Sequence, residues 1–373
     1  MTNKLMAKML KNTTLKHTSP IKDSVTMNSV DETSTSIPAL NIALSASLTG
    51  GLKSGIMTIA APSKHFKSAS ALVLAGTYLK KHKDGVLMFF DSEFGSPIDY
   101  FNSADVDLDR VVHIPVKNLE ELKFELVAQL ENLTRGDKVF ILIDSIGNLA
   151  SKKEVEDAKD GKSTADMTRS KTLKSIYRII TTHLRMLDIP LVQITHTYET
   201  MELYSKTVVG GGTGITYASD QVWVLTKAQE KDTSGLTGFK FTIVVDKSRY
   251  VREKSKIPLY VDFEKGISKY SGLLDIAIEA GCIIKPSNGW YSRVDDDGVV
   301  EQKKSREKET NTAEFWAPVL KSKRFTEYLT ATYKISHGSL VSDGDVQDNI
   351  VEDTTDSFDC EDDDVESYQT QAD

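Results

Sequence analysis

No stretch of the sequence approaches the roughly 18–20 consecutive apolar residues that a membrane-spanning helix needs. The N-terminus also lacks the unbroken apolar core of a secretory signal. Arginine is missing from residues 1–31, whose positive charge comes from Lys4, Lys8, Lys11, Lys16 and Lys22, and this argues against an Arg-rich organellar transit peptide. Cysteine is scarce: Cys282 and Cys360 stand far apart and outside any C-x-x-C spacing, which argues against a disulfide framework or a cysteine zinc site and suits a reducing compartment. The seven histidines form no H-E-x-x-H or other metal-ligand spacing. A cytoplasmic protein without a membrane partner is expected.

What is present suffices for a large folded body. With 373 residues, 39% of them hydrophobic and 27% charged, the chain can bury one large core with one or two appendages. The net charge of −8 is unevenly spread. Residues 342–373 hold 13 Asp and Glu and no Lys or Arg, and setting that acid aside leaves residues 1–341 at +5. A mildly basic body thus carries a polyanionic tail, the asymmetry of proteins with acidic interaction tails, and the acidic balance does not exclude nucleic acid as a ligand.

From residue 1 to about 31 the chain is rich in Ser, Thr, Lys and Met, and Leu5, Met6, Met9 and Leu10 recur at helical spacing. A short amphipathic helix and a linker are predicted, forming an N-terminal arm over residues 1–34. Apolar runs at 55–60, 86–90, 111–116, 139–143, 190–195 and 221–225 read as strands, and 68–81, 119–133 and 166–187 have the length and period of helices. Runs apolar on both faces, alternating with helices, predict an α/β core over residues 35–270: a mainly parallel twisted sheet flanked by helices. Beyond Val222, strand-like segments at 239–245 and 258–263 follow without long helices, which predicts an antiparallel extension. Residues 271–335 contain Trp290, Tyr291, Phe315 and Trp316 and are expected to form a small α+β lobe with its own core. Residues 336–373 have too few apolar groups and too much charge to fold alone and are expected to be a disordered acidic tail. No internal repeat is present.

The segment Ala61-Pro62-Ser63-Lys64-His65-Phe66-Lys67-Ser68 follows a strand and opens a helix. In that setting backbone N–H groups and the helix N-terminus face anionic phosphates, a lysine adds a point charge, and a Ser hydroxyl can hold magnesium. The spacing is that of G-x-x-x-x-G-K-[ST], but Ala61 and Phe66 stand at the two glycine positions, and an unliganded strand–turn–helix corner has the same outline. Downstream carboxylates add weight. KVFILID is an apolar strand ending in Asp144, as a magnesium-holding carboxylate would be placed. FFDSEFG puts Asp91 and Glu93 after another buried strand, at the sheet edge where such folds bind ligands, and Glu93 is the candidate for activating a water.

Together, SIPALNIALSASLTGGLKSGIMTIAAPSKHFKS, FFDSEFG, FILIDSIGNLASKKE, HTYET, GGGTG and SGLLDIAIEAGCIIKPSNGWY resemble, in order, segments of RecA-type recombinases, and most closely the UvsX-type recombinases of bacteriophages. The resemblance covers roughly residues 35–335. It implies a RecA-like P-loop NTPase core, and it turns Phe66 into agreement, because that branch also carries Phe before Lys-Ser; Ala61 still departs from the expected glycine. It implies that residues 61–68 bind ATP, with Lys67 on the phosphates, Ser68 and Asp144 on Mg2+, Glu93 as catalytic base and Tyr100 stacked on adenine. His196 takes the place of the polar γ-phosphate sensor, where relatives of bacterial RecA have Gln.

The loop after that sensor, residues 197–214, is the expected DNA contact. It joins Tyr198, Tyr204 and Lys206 to the flexible Gly210, Gly211 and Gly212, a combination of cation, π-face and pliable backbone that suits single strands. A first loop over residues 151–164 brings Lys152 and Lys153, with Arg169 on the helix that follows. Lys247 and Arg249 resemble the cations that RecA-type filaments insert across the subunit joint onto a neighbour's ATP. By the same resemblance the N-terminal helix packs on the adjacent subunit. The implied activity is a DNA-dependent ATPase that forms helical filaments on single-stranded DNA and exchanges strands with double-stranded DNA, with a single-strand-binding protein and a loader as further partners. A ring-forming helicase of the same fold, or a mediator that has lost the chemistry, is the alternative reading of these segments.

Overall fold

The structure, a computed structural model, describes residues 3–28, 30–161, 167–201, 206–232 and 235–335. Tyr204, the end of the first candidate loop and the acidic tail lie outside the described residues.

Among the described residues nine strands form the main sheet. In chain order they are β1 Gly55–Ala60, β2 Val86–Asp91, β3 Val111–Pro115, β4 Val139–Asp144 and β5 Pro190–Thr195, then β6 Gln221–Asp232, β7 Gly235–Ser248, β8 Lys256–Asp262 and β9 Gly266–Ile267. Their spatial order is β9-β8-β7-β6-β1-β5-β4-β2-β3. From β3 across to β6 every pair is parallel, and β6 to β9 pair antiparallel. A mainly parallel sheet with an antiparallel extension is therefore present, as expected.

The sheet is covered on both faces, which is why its strands are apolar throughout. Along β4, Phe140 and Leu142 join one hydrophobic cluster while Val139, Ile141 and Ile143 join the other. Helix α1 Lys67–Lys81 covers the first face through Leu72, Leu74, Ala75 and Leu79. On the opposite face, α2 Leu119–Glu131 and α3 Thr168–Leu187 contribute Leu122, Leu126, Ile176 and Ile180. Each such side chain contributes about 1.5–3 kcal/mol on burial. The start of α2 is set by Asn118, whose side chain accepts the Glu121 N–H at 2.9 Å.

Two expectations change. Strands β6 and β7 run well past the apolar stretch 221–225, pairing from Gln221 with Ser248 to Asp232 with Gly235. Thr226, Ala228, Gln229 and Glu230 are exposed there, so this ribbon carries no apolar run to announce it. The C-terminal lobe, with strands Ile283–Ser287, Trp290–Arg293 and Ser305–Arg306 and helices Leu273–Glu279, Ala313–Lys321 and Lys323–Tyr333, has the expected α+β content. Its core is not separate: Phe315, Trp316, Phe325 and Leu329 belong to the same cluster as the inner side of α1, and Tyr270 stacks on Trp316 at 5.7 Å. A count of aromatics cannot say which core they fill.

The N-terminal helix forms at Lys4–Asn12 with exposed Leu5 and Met9, and the arm is tied to the core at Asp31. That carboxylate pairs with Lys81, with Lys138 at 3.1 Å and with His82 at 2.8 Å. Among the described residues no helix is long and apolar enough to cross a membrane.

Candidate nucleotide and DNA site

Parallel register brings the carboxyl ends of β1, β2, β4 and β5 to one edge of the sheet. Asp91 pairs with Asp144, and Ala60 with Thr195. The loop 61–66 leaves that edge and feeds α1.

Both departures from the glycine pattern have a physical account. Ala61 prolongs the strand ladder: its N–H donates to Thr195 O at 3.3 Å and its carbonyl accepts from Thr197 N at 3.3 Å, with the methyl buried in the core. It is not among the residues with left-handed backbone, so glycine is not required there. Phe66 does adopt the left-handed conformation that glycine would take, at φ 65°. That conformation costs a residue with a Cβ about 1–2 kcal/mol. The ring offsets it by stacking on Phe241 of β7, at 5.1 Å between centroids and 23° between planes.

The loop borders a cleft of about 910 Å³ into which Lys67, Ser68, Glu93, Tyr100 and His196 project. Lys67 donates to Pro62 O at 2.8 Å, and burial lowers the pKa of its ammonium while Glu93 and Asp144 oppose that shift. Ser68 Oγ donates to Asp144 Oδ2 at 2.7 Å, and Ser96 Oγ approaches the same oxygen at 3.3 Å. The other oxygen, Asp144 Oδ1, is buried and has no hydrogen-bond partner among the described residues. Burial raises the Asp144 pKa, and the charges of Glu93 and Asp91 push the same way. A buried, unsatisfied, electrostatically crowded carboxylate oxygen beside a serine hydroxyl is the donor set a hard divalent cation takes up.

Glu93 is held from three sides. Its Oε1 accepts from Ser145 Oγ at 2.5 Å and Asn148 Nδ2 at 2.8 Å, and His196 Nε2 lies 3.1 Å away. The other ring nitrogen of His196 is 3.5 Å from Lys67 Nζ. Asp91 shapes the turn by accepting the N–H groups of Glu93 at 3.1 Å and Phe94 at 2.7 Å. Asp91 was visible in the motif, but Ser96, Ser145 and Asn148 carried no signal in the sequence, being ordinary loop polar residues until the fold gathers them. Tyr100 stands half-exposed at the cleft wall on the short helix Ile98–Ser103.

The candidate DNA contacts divide. Lys152 and Lys153 sit not on an open loop but on a helix, Lys152–Lys159, capped by Ser151. Lys152 is exposed, and Lys153 is paired with Asp157. Arg169 turns inward: its guanidinium donates to Leu149 O at 2.9 Å and Gly147 O at 2.9 Å, clamping the turn that carries Asn148. The second loop is built on a hairpin of Thr197–Glu199 with Thr207–Val209, and Tyr198 and Lys206 are exposed on it. This hairpin is bolted to the end of β5, because Gly210 N–H donates to His196 O at 2.7 Å and Thr195 Oγ1 donates to Gly210 O at 3.0 Å. A Cβ on Gly210 would lie 2.5 Å from His196 O, and Gly211 and Gly212 take φ of 90° and 86°.

Lys247 and Arg249 do not line the cleft. Lys247 Nζ donates to Thr216 O at 2.8 Å and Tyr217 O at 3.0 Å, at the end of the helix Thr213–Ala218 that closes the second loop. Burial and the neighbouring Arg249 charge lower its pKa. Arg249 pairs with Asp220 at 2.5 Å, and Asp220 also binds Arg185 at 2.5 Å and accepts the Ile56 N–H at 3.0 Å.

The chain is similar to known proteins over most of its length. Residues 8–268 match the RecA N-terminal domain, and residues 270–329 match the C-terminal domain described for the recombination and repair protein of bacteriophage T4. The recombination and repair protein of Enterobacteria phage T4 is 46% identical over 336 residues, covering 89% of this chain and 86% of that one. Protein RecA of Paracoccus denitrificans is 28% identical over 274 residues, 72% of this chain and 73% of its own. Protein RecA of Nocardioides is 25% identical over 261 residues, 69% of this chain and 72% of its own. With the RecA N-terminal domain matched over residues 8–268 and 46% identity to a phage recombination and repair protein over 89% of its length, this chain belongs to the RecA family.

Proposed function

We propose that this protein is an ATP-dependent DNA strand-exchange recombinase that acts in recombination, recombination-dependent replication and repair by forming filaments on single-stranded DNA. The observation that carries the reading is the edge where Lys67, Ser68 and the unsatisfied Asp144 Oδ1 face Glu93 and His196. Lys67 and the N–H groups of residues 63–68 would hold the phosphates of ATP, and Ser68 and Asp144 would hold Mg2+. Mg2+-ATP supplies, when bound, a γ-phosphoryl group that can pass to water.

Glu93, held in place by Ser145 and Asn148, accepts the proton of that water. His196 meets the terminal phosphate, and its carbonyl bond to Gly210 carries the displacement into the hairpin that bears Tyr198 and Lys206. Aromatic stacking of about 1–3 kcal/mol per base gives sequence-tolerant binding, and phosphate contacts make it salt-dependent. Lys247 and Arg249 act on the nucleotide of the next protomer, where they stabilise charge that develops in the transition state. Hydrolysis thereby depends on assembly and weakens DNA binding afterwards.

The second copy of this chain is the first partner; a single-strand-binding protein and a loader are further ones. The acidic tail competes with DNA for the basic body, so a chain ending after Val341 binds DNA more tightly at moderate salt; unchanged affinity across a salt titration refutes that role. ATP turnover with and without single-stranded DNA, on wild type, Lys67→Ala and Glu93→Gln, tests the enzymatic half. A wild type no faster with DNA than either variant sinks it. Electron micrographs with ATP and single-stranded DNA test assembly: filaments support the reading, and closed rings favour a helicase.

A further inference from the structure

Among the described residues, a line of buried polar side chains crosses the sheet face covered by α2 and α3. Tyr177 of α3 donates its phenolic O–H to Gln193 Oε1 on β5 at 2.9 Å. Gln193 Nε2 donates to Thr58 Oγ1 on β1 at 2.9 Å, and Thr58 Oγ1 lies 2.7 Å from Ser219 Oγ. Ser219 Oγ donates to Ile215 O, inside the helix Thr213–Ala218, at 2.7 Å. All four side chains are buried, at 4% exposure for Tyr177 and 1% or less for the others. Every bond can point the same way, with Thr58 donating to Ser219. Burial pushes the Tyr177 phenol far up, which keeps it a proton donor at any working pH.

An apolar set of the same shapes would fill this space without the cost of desolvating four polar groups. What the polar line adds is a directional link between elements that carry separate tasks. Tyr177 is on the helix that follows the first candidate DNA loop. Gln193 stands three residues before His196, and Thr58 three before Ala61, where the phosphate loop begins. Ser219 directly follows the helix that closes the second loop.

We propose that Tyr177, Gln193, Thr58 and Ser219 are positioning residues that lock the sensor strand, the phosphate-loop strand and the helices behind both loops into one unit, so that nucleotide state and DNA occupancy are felt together. The inference rests on the proposed DNA-dependent ATPase. None of the four touches the cleft, so their effect appears in the coupling of the two ligands rather than in either alone. Fully satisfied buried networks fix one arrangement, and a partly satisfied one loses it.

The test compares Thr58→Val, which removes the hydroxyl while keeping the shape, with Thr58→Ser, which keeps the hydroxyl. The readouts are the ratio of ATP turnover with saturating single-stranded DNA to turnover without it, the DNA-free KM for ATP, and the thermal midpoint. Thr58→Val is expected to lower the ratio roughly threefold to tenfold, the scale of one or two buried hydrogen bonds. DNA-free turnover and KM stay within about twofold, and Thr58→Ser returns the ratio to within about twofold of wild type. Tyr177→Phe, which removes one oxygen and keeps the ring, shifts the ratio in the same direction and replaces Thr58→Val if that variant does not fold. A wild-type ratio in folded Thr58→Val or Tyr177→Phe, even with a lowered midpoint, overturns the proposal by reducing the line to a structural role. So does an equal loss of turnover with and without DNA, which would place the defect in the phosphate loop. A wild type that DNA does not stimulate is a separate outcome: it overturns the DNA-dependent ATPase and this inference with it.

Discussion

Replacing Phe66 tests whether a bulky residue can hold the glycine position of the proposed phosphate-binding loop. Two opposed effects meet at this residue. Its backbone sits at φ 65°, which costs any residue with a Cβ about 1–2 kcal/mol. Its half-buried ring stacks on Phe241 at 5.1 Å, which contributes about 0.5–1.5 kcal/mol beyond area, with roughly 1 kcal/mol more from burial. Phe66→Ala keeps the backbone strain and discards the ring, a loss of about 2 kcal/mol. Phe66→Gly discards the ring and relieves the strain, while glycine gives back about 0.5–1 kcal/mol through its freer unfolded chain. The net loss for Gly is about 1 kcal/mol, so the expected order of stability is Phe, then Gly, then Ala. Urea unfolding of the nucleotide-free protein, followed by circular dichroism at matched m-values, reads the order directly. Alanine at or above glycine would show that residue 66 is not left-handed in solution. Glycine at or above phenylalanine would show that the Phe241 stack contributes nothing.

Glu93→Gln is expected to lower ATP turnover by about 10²–10⁴-fold while nucleotide binding persists, as read by single-turnover kinetics beside equilibrium binding; equal loss of binding would assign Glu93 to affinity instead. Asp144→Asn is expected to stabilise the nucleotide-free protein on the order of 1 kcal/mol near neutral pH and to abolish Mg2+-dependent nucleotide binding. Because burial raises the Asp144 carboxyl, protonation favours folding: that contribution is fully present below about pH 4 and is lost as pH rises through the folded value, so the gain from Asn should grow over the same window and vanish in acid. Lys247→Ala is expected to lower turnover by about 10²-fold, and mixing it with Lys67→Ala should restore activity above either variant alone, since one supplies the cleft and the other the cation. Failure of the mixture to recover would mean that Lys247 does not act across a joint.

The cleft was legible because its carboxylates and imidazole follow apolar strands and its lysine opens a helix. Glu93, Asp144 and His196 stand at or just past a strand end, Lys67 begins α1 after the loop that follows β1, and parallel register brings them to one edge. What stayed illegible is whatever depends on one backbone angle or one inward turn. Ala61 looked like a defect, yet it is a ladder residue that needs no glycine, whereas Phe66 does hold a glycine's conformation and conceals it behind a ring. The helix Lys152–Lys159 buries none of its residues, so it has no apolar period by which to be found. Gln193 and Thr58 sit within apolar runs, where a lone polar residue gives no hint of its partner on another strand. Lys247 and Arg249 stood out as cations, but that they rest on Thr216, Tyr217 and Asp220 of their own chain could come only from the fold.

Arg169 shows how a charge can be counted without being available. A cation free to meet a phosphate releases roughly one condensed counterion, and the slope of affinity against salt tallies such cations. The guanidinium of Arg169 is already engaged by carbonyl oxygens of Gly147 and Leu149, on either side of the residue that steadies Glu93. Its loss would therefore leave the salt slope in place and slow hydrolysis, entering the ledger of chemistry rather than that of the polyelectrolyte.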